Sequence, residues 1–189
     1  MRQAAAPAWL RGLLLGAACL GGLSAAADGV LLRHIADSLA QDSPIEHIHP
    51  AALADGNGMP SSPRPLLFDV REAGEFAVSH LPGAVRIDPR LDAEDFLERY
   101  GARLRGQTAL FYCTTGQRST ALAERIQALL DARGIRDIRI ANLYGGILHW
   151  HNEELPLVDT QGPTRRVHPY NWARKWLLDQ PGAAAYGQE

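Results

Sequence analysis

An apolar run that ends in a cysteine constrains this chain more than any other feature. Residues 109–112, Ala-Leu-Phe-Tyr, read as a buried strand, and Cys113 follows at once. Thr114, Thr115, Gly116, Gln117 and Arg118 come next, small or polar, with Gly116 free to bend the backbone tightly. From Ser119 the pattern turns helical: Leu122, Ile126, Leu129 and Leu130 recur on one helix face. Cys113 therefore stands where a strand ends and a helix begins.

That position has chemical consequences. The first N–H groups of a helix lack partners within it, and the helix dipole adds partial positive charge there. A curled run of N–H groups forms a cradle for an anion. A thiol held in such a place is favoured as the thiolate, which is the nucleophile. Arg118 adds a fixed charge with a planar fork suited to oxyanions. The alternative, a buried structural cysteine, leaves the coincidence of Gly116, Arg118 and the strand-to-helix switch unexplained.

The N-terminus is read apart from the fold. Arg2 and Arg11 precede an apolar stretch at 12–23, and Ala25, Ala26 and Ala27 offer a cleavage site with Asp28 as the first mature residue. Residues 1–27 are thus expected to be a signal peptide, and the protein periplasmic. The stretch is short for a membrane span; an uncleaved anchor and a lipoprotein signal at Cys19 are the alternatives. Cleavage removes two Arg and no acid, leaving a mature chain more acidic than the full chain's net −2. It also removes Cys19, so Cys113 becomes the sole thiol in an exported, oxidising setting and has no intramolecular partner. No basic patch suggests nucleic acid.

Along the mature chain, residues 30–39 look helical, with Leu31, Leu32, Ile35 and Leu39 on one side, and residues 45–48 alternate as a strand. Pro50 opens a helical turn, and residues 55–65 are a loop rich in Gly, Pro and Ser. Residues 66–70 form a second buried strand, residues 71–76 a turn and short helix, and residues 85–87 a short strand. Asp92 caps a helix over 93–100, Gly134 stops the Cys113 helix, and Ile138 and Ile140 mark another strand. Strands alternating with short helices predict an α/β fold with a mostly parallel sheet covered by helices on both faces. Ligands in such folds bind beyond the carboxyl ends of the strands. Cys113 and Arg71 both lie at such ends, so the two are expected to share one mouth.

The chain resembles a single-domain rhodanese over residues 44–159. Asp69-Val70-Arg71-Glu72 with Glu75-Phe76, the turn His80-Leu81-Pro82-Gly83-Ala84, the loop from Tyr112 to Ser119, and Gly145-Gly146 with Trp150 and Leu155-Pro156 occur in that family's order. The resemblance implies a three-layer sandwich and a sulfurtransferase. In that reading Cys113 takes sulfane sulfur from thiosulfate or a persulfide donor and passes it to a thiol or cyanide. The loop residues Thr114, Thr115, Gly116, Gln117, Arg118 and Ser119 bind the substrate with help from Arg71, and Asp69 braces the site. No cofactor and no metal are implied. Loop size separates this from phosphatases and arsenate reductases, whose C-x5-R loop is one residue longer than the C-x4-R found here. Thr114 and Thr115 depart from the basic or bulky neighbours usual beside the cysteine, which leaves the donor open between thiosulfate and an organic persulfide. A binding or redox-sensing module with little turnover is the second function class, and phosphatase or arsenate chemistry the third.

Two features lie outside that core. His47 with His49 and His149 with His151 have chelating spacing but no supporting pattern, and are read as surface or packing residues. Residues 28–43 are an N-terminal extension and 160–189 a C-terminal one. In the latter, Trp172 and Trp176 sit one helical turn apart. A helix packed on the domain is the plainer reading; a lid, or a surface docking a protein partner, is the sharper one.

Overall fold

The computed structural model describes residues 22–54 and 64–187. Helices and short strands alternate: α1 (Gly22–Asp42), β1 (Glu46–Ile48), α2 (Pro50–Ala54), β2 (Leu66–Asp69), α3 (Ala73–Val78) and β3 (Val85–Arg86). There follow α4 (Ala93–Leu104), β4 (Gln107–Tyr112), α5 (Gln117–Ala132), β5 (Ile138–Leu143), α6 (Gly146–Asn152), β6 (Leu157–Val158) and β7 (Pro163–Thr164). Strands β1 to β5 form one parallel sheet in the order β1-β5-β4-β2-β3, while β6 and β7 pair antiparallel beside it.

The period-two alternation of β4, the central strand, divides the core. Ala109 and Phe111 join Phe68, Phe96, Leu104, Leu122, Ile126 and Leu130 in the layer beneath α4 and α5. Tyr112 turns the other way, into a layer with Leu32, Leu143, Ile147, Leu148, Val167 and Leu178. The result is a three-layer α/β sandwich with a mostly parallel central sheet. The rings of Phe68, Phe96 and Phe111 meet with centroids 5.1 to 5.4 Å apart, and each burial is worth roughly 1.5–3 kcal/mol. Asp92 caps α4, its Oδ1 accepting from the Asp95 N–H at 2.8 Å.

Two sequence expectations need correction. The buried face of α1 carries Leu32 and Ala36 with Ile35 and Leu39 half-buried, whereas Leu31 points to solvent. Leu31 precedes Leu32 by one position and so lies about 100° around the helix. In the C-terminal extension, residues 173–177 form a 3-10 turn (Ala173–Leu177) that buries Leu177 and the adjoining Leu178 while leaving Trp172 and Trp176 exposed. The proposed leader up to residue 21 and most of the 55–65 loop lie outside the described residues. Among the described residues, no helix is long and apolar enough to cross a membrane.

Candidate active site

The parallel register sets the strand ends level. Asp69 of β2 pairs with Tyr112 of β4, and the Val70 N–H donates to the Tyr112 carbonyl at 2.8 Å. Cys113 and Arg71 therefore leave the sheet side by side. The Cys113 residue is buried, 1% exposed, as are Thr114, Thr115, Gly116 and Ser119; Gln117 is exposed and Arg118 half-buried.

The loop after Cys113 is held from behind. The carbonyls of Cys113 and Thr114 accept from the N–H groups of Ile147 at 2.9 Å and Leu148 at 3.2 Å, in the first turn of α6. A Cβ on Gly146 would lie 2.5 Å from the Cys113 oxygen, so this close approach requires glycine, and its φ of +62° does too. Gly116 enters α5 at φ +99°, its carbonyl accepting from the Thr120 N–H and the Ser119 hydroxyl. With the carbonyls committed in this way, the N–H groups of residues 114–118 donate to no described residue. They remain available as donors, in a curl that opens a 16-residue helix.

Glu75 of α3 is the site residue that sequence reasoning passed over, although it stands in the motif segment that follows β2. Its buried carboxylate accepts from Arg118 Nη1 at 2.9 Å and Nη2 at 2.8 Å, and from the Thr114 hydroxyl at 3.0 Å. It also closes a capping box with Glu72 at the start of α3. Burial works to raise the Glu75 pKa, but the hydrogen bonds and charge of Arg118 outweigh it, and the carboxyl sits below its ordinary value. For Arg118, burial works to lower the pKa, while Glu75 and the neighbouring Cys113 raise it further, so the guanidinium stays charged.

Arg71 does not open onto the mouth. Its side chain is fully buried, with Nη2 2.6 Å from Asp69 Oδ2 and 2.6 Å from the Ser79 carbonyl, and Nε also on the Asp69 carboxylate. Asp69 in turn accepts from the Arg71 N–H at 3.0 Å. This pair ties the end of β2 to the turn after α3 through Nε and Nη2, while Nη1 is buried with no partner among the described residues.

The C-terminal extension reaches the loop. Arg174 places Nη2 3.0 Å from Gln117 Oε1 and Nη1 3.5 Å from the Thr115 hydroxyl. The Tyr170 ring lies 4.9 Å from the Arg118 guanidinium and 5.1 Å from that of Arg174. The His168 pKa is lowered by burial against an opposing pull from Glu75, with Arg71 and Arg118 lowering it further. The four histidines of the two chelating-spaced pairs lie apart from this cluster. His47 is half-buried, His49 stacks on Tyr144 at 4.0 Å, His149 pairs with Glu153 at 3.0 Å and His151 meets the Arg165 carbonyl at 3.1 Å.

Solved structures of similar shape include a Bacillus halodurans protein, 23% identical over 70% of this chain and 87% of that one, with a TM-score of 0.45. A thiosulfate sulfurtransferase from Pseudomonas aeruginosa is 22% identical over 75% of this chain and 28% of its own, at 0.45. A yeast protein tyrosine phosphatase of the rhodanese family is 18% identical over 58% and 85%, at 0.48. No curated protein matches the chain. The family model for the rhodanese-like domain matches residues 52–153, more than half of the chain, and the protein belongs to that family.

Proposed function

We propose that the protein is an exported sulfurtransferase that works through a persulfide on Cys113. The observation that carries this reading is the set of uncommitted N–H groups of residues 114–118 around a buried cysteine, in a loop one residue shorter than a phosphate cradle. In the first step the Cys113 thiolate attacks the outer sulfur of thiosulfate. A new S–S bond forms, the sulfur–sulfonate bond breaks, and sulfite leaves with the electron pair. The terminal sulfur then carries the negative charge, which the loop N–H groups stabilise. In the second step cyanide or a thiolate attacks that sulfur, leaves as thiocyanate or a persulfide, and returns Cys113 to the thiolate. This is ping-pong covalent catalysis.

In this reading Thr114, Thr115, Gly116, Gln117, Arg118 and Ser119 shape the cradle, Arg118 holds it closed through Glu75, and Asp69 with Arg71 braces it from the β2 side. No cofactor takes part. Residues 1–27 act as the export signal and residues 44–159 as the domain, with the C-terminal extension as the place where a protein acceptor would meet it. Intact mass of the purified protein, with and without thiosulfate, tests the chemistry. The expected result is a gain of about 32 Da, discharged by cyanide with release of thiocyanate and absent from Cys113→Ser. No gain from thiosulfate or an organic persulfide, with the thiol shown to be free, rejects it in favour of a binding or redox role.

A further inference from the structure

We infer that Arg174, from the C-terminal extension, supplies the positive charge that draws an anionic sulfur donor to the Cys113 loop and selects for a donor bearing an oxyanion group, such as thiosulfate. This deepens the sulfurtransferase reading and rests on it for the identity of the ligand.

The argument begins with charge. Thr114 and Thr115 put no cation beside Cys113. Arg118 is matched by Glu75 and Arg71 by Asp69, so neither pair has net charge to offer. Arg174 differs. Its contacts on the loop are the neutral Gln117 amide and Thr115 hydroxyl, and no carboxylate among the described residues lies within ion-pair distance of it. One uncompensated guanidinium thus stands over a loop whose N–H groups are also uncommitted.

Its position is built rather than incidental. Like charges repel, yet Arg118 and Arg174 flank one ring, Tyr170, whose face attracts both. Tyr170 has φ +77°, a left-handed backbone that is strained for a non-glycine residue. Its N–H donates to His168 Nδ1 at 3.0 Å, which holds that conformation. The Asn171 side chain accepts from the Arg174 N–H at 3.0 Å and fixes the start of the turn that carries the arginine. Strain retained beside a charged residue at a candidate site points to a role for the geometry. A planar fork of N–H donors fits two oxygens of a sulfonate, while the same molecule's outer sulfur meets the thiolate.

The test compares Cys113 alkylation by iodoacetate, an anion, and iodoacetamide, its neutral analogue, in wild type, Arg174→Gln and Arg174→Lys. The neutral reagent reports loop integrity, so the rate ratio isolates charge. Arg174→Gln is expected to lower the iodoacetate-to-iodoacetamide ratio about tenfold and to raise the thiosulfate KM by a similar factor with kcat little changed. Arg174→Lys should restore most of the ratio. A ratio that Arg174→Gln leaves unaltered overturns the inference, whatever the protein does with thiosulfate. A ratio that falls in a protein whose wild type gains no sulfur upholds the anion site and rejects sulfur transfer.

Discussion

Glu75 takes both ends of the Arg118 guanidinium, Oε2 at 2.9 Å from Nη1 and Oε1 at 2.8 Å from Nη2. The contact spans 43 positions and ties α3 to the first turn of α5. It makes Arg118 a clamp on the loop, because a guanidinium held by a fork-to-fork pair has few donors left for a ligand.

Glu75→Gln keeps the shape of the side chain and removes its charge. The amide accepts at one oxygen where the carboxylate accepts at two, so Arg118 and Thr114 lose part of their anchorage. A loss of about 1.5–3 kcal/mol in unfolding free energy is expected, the range for hydrogen bonds to charged groups. Cys113 alkylation by iodoacetamide should change several-fold as the loop loosens. Denaturant titration and alkylation kinetics check the two effects separately.

The same carboxylate predicts acid sensitivity. The Glu75 pKa is lower in the fold than its ordinary value of 4.5. Its stabilising contribution is therefore complete above 4.5 and is lost as pH falls through the lower folded-state value. Denaturation midpoints measured from pH 7 down to about pH 3 should fall on the acid side. The fall should be shallower in Glu75→Gln, and an equally steep fall would show that other carboxylates control it.

The Asp69–Arg71 pair makes a stronger demand because both side chains are fully buried. Arg71→Met leaves the Asp69 carboxylate buried without its cation. The expected cost is about 3–5 kcal/mol, the range for breaking a buried pair from one side. The double variant Asp69→Asn with Arg71→Met should recover part of this loss. Thermal unfolding of wild type, Arg71→Met, Asp69→Asn and the double variant measures the coupling, and additive losses would contradict it.

Local patterns explain which parts were legible in advance. The apolar run before Cys113 and the Asp92 cap are written over a few adjacent residues, and both appear in the structure. The partners of the loop are not local. Glu75 meets Arg118 across 43 positions and Arg174 meets Gln117 across 57, and no periodicity in either segment announces the contact. Arg71 looked ready for the mouth because it ends a strand, but Asp69 two positions earlier captures its guanidinium. The C-terminal segment misled because large aromatic residues are usually anchors. Here Leu177 and Leu178 are the anchors, and Trp172 at 73% exposure and Trp176 at 51% face solvent.

Gly146→Ala tests whether the back of the loop is as closely built as the geometry states. Gly146 has φ +62°, and a Cβ there would stand 2.5 Å from the Cys113 oxygen and 2.6 Å from the Thr114 oxygen. Both are backbone atoms, and both already accept hydrogen bonds from α6, so neither can yield without moving the loop. Gly134 provides the control: its φ is +66°, but nothing lies within 4 Å of its added Cβ. Gly134→Ala should therefore cost only the backbone term, about 1–2 kcal/mol, and leave Cys113 alkylation unaltered. Gly146→Ala should cost more, about 3–5 kcal/mol, because close contact adds to the same strain. Its alkylation rate should change as the loop carbonyls shift and the N–H groups turn with them. Equal losses in the two variants, with equal alkylation rates, would mean that the loop can relax away from α6 and that its shape does not depend on Gly146.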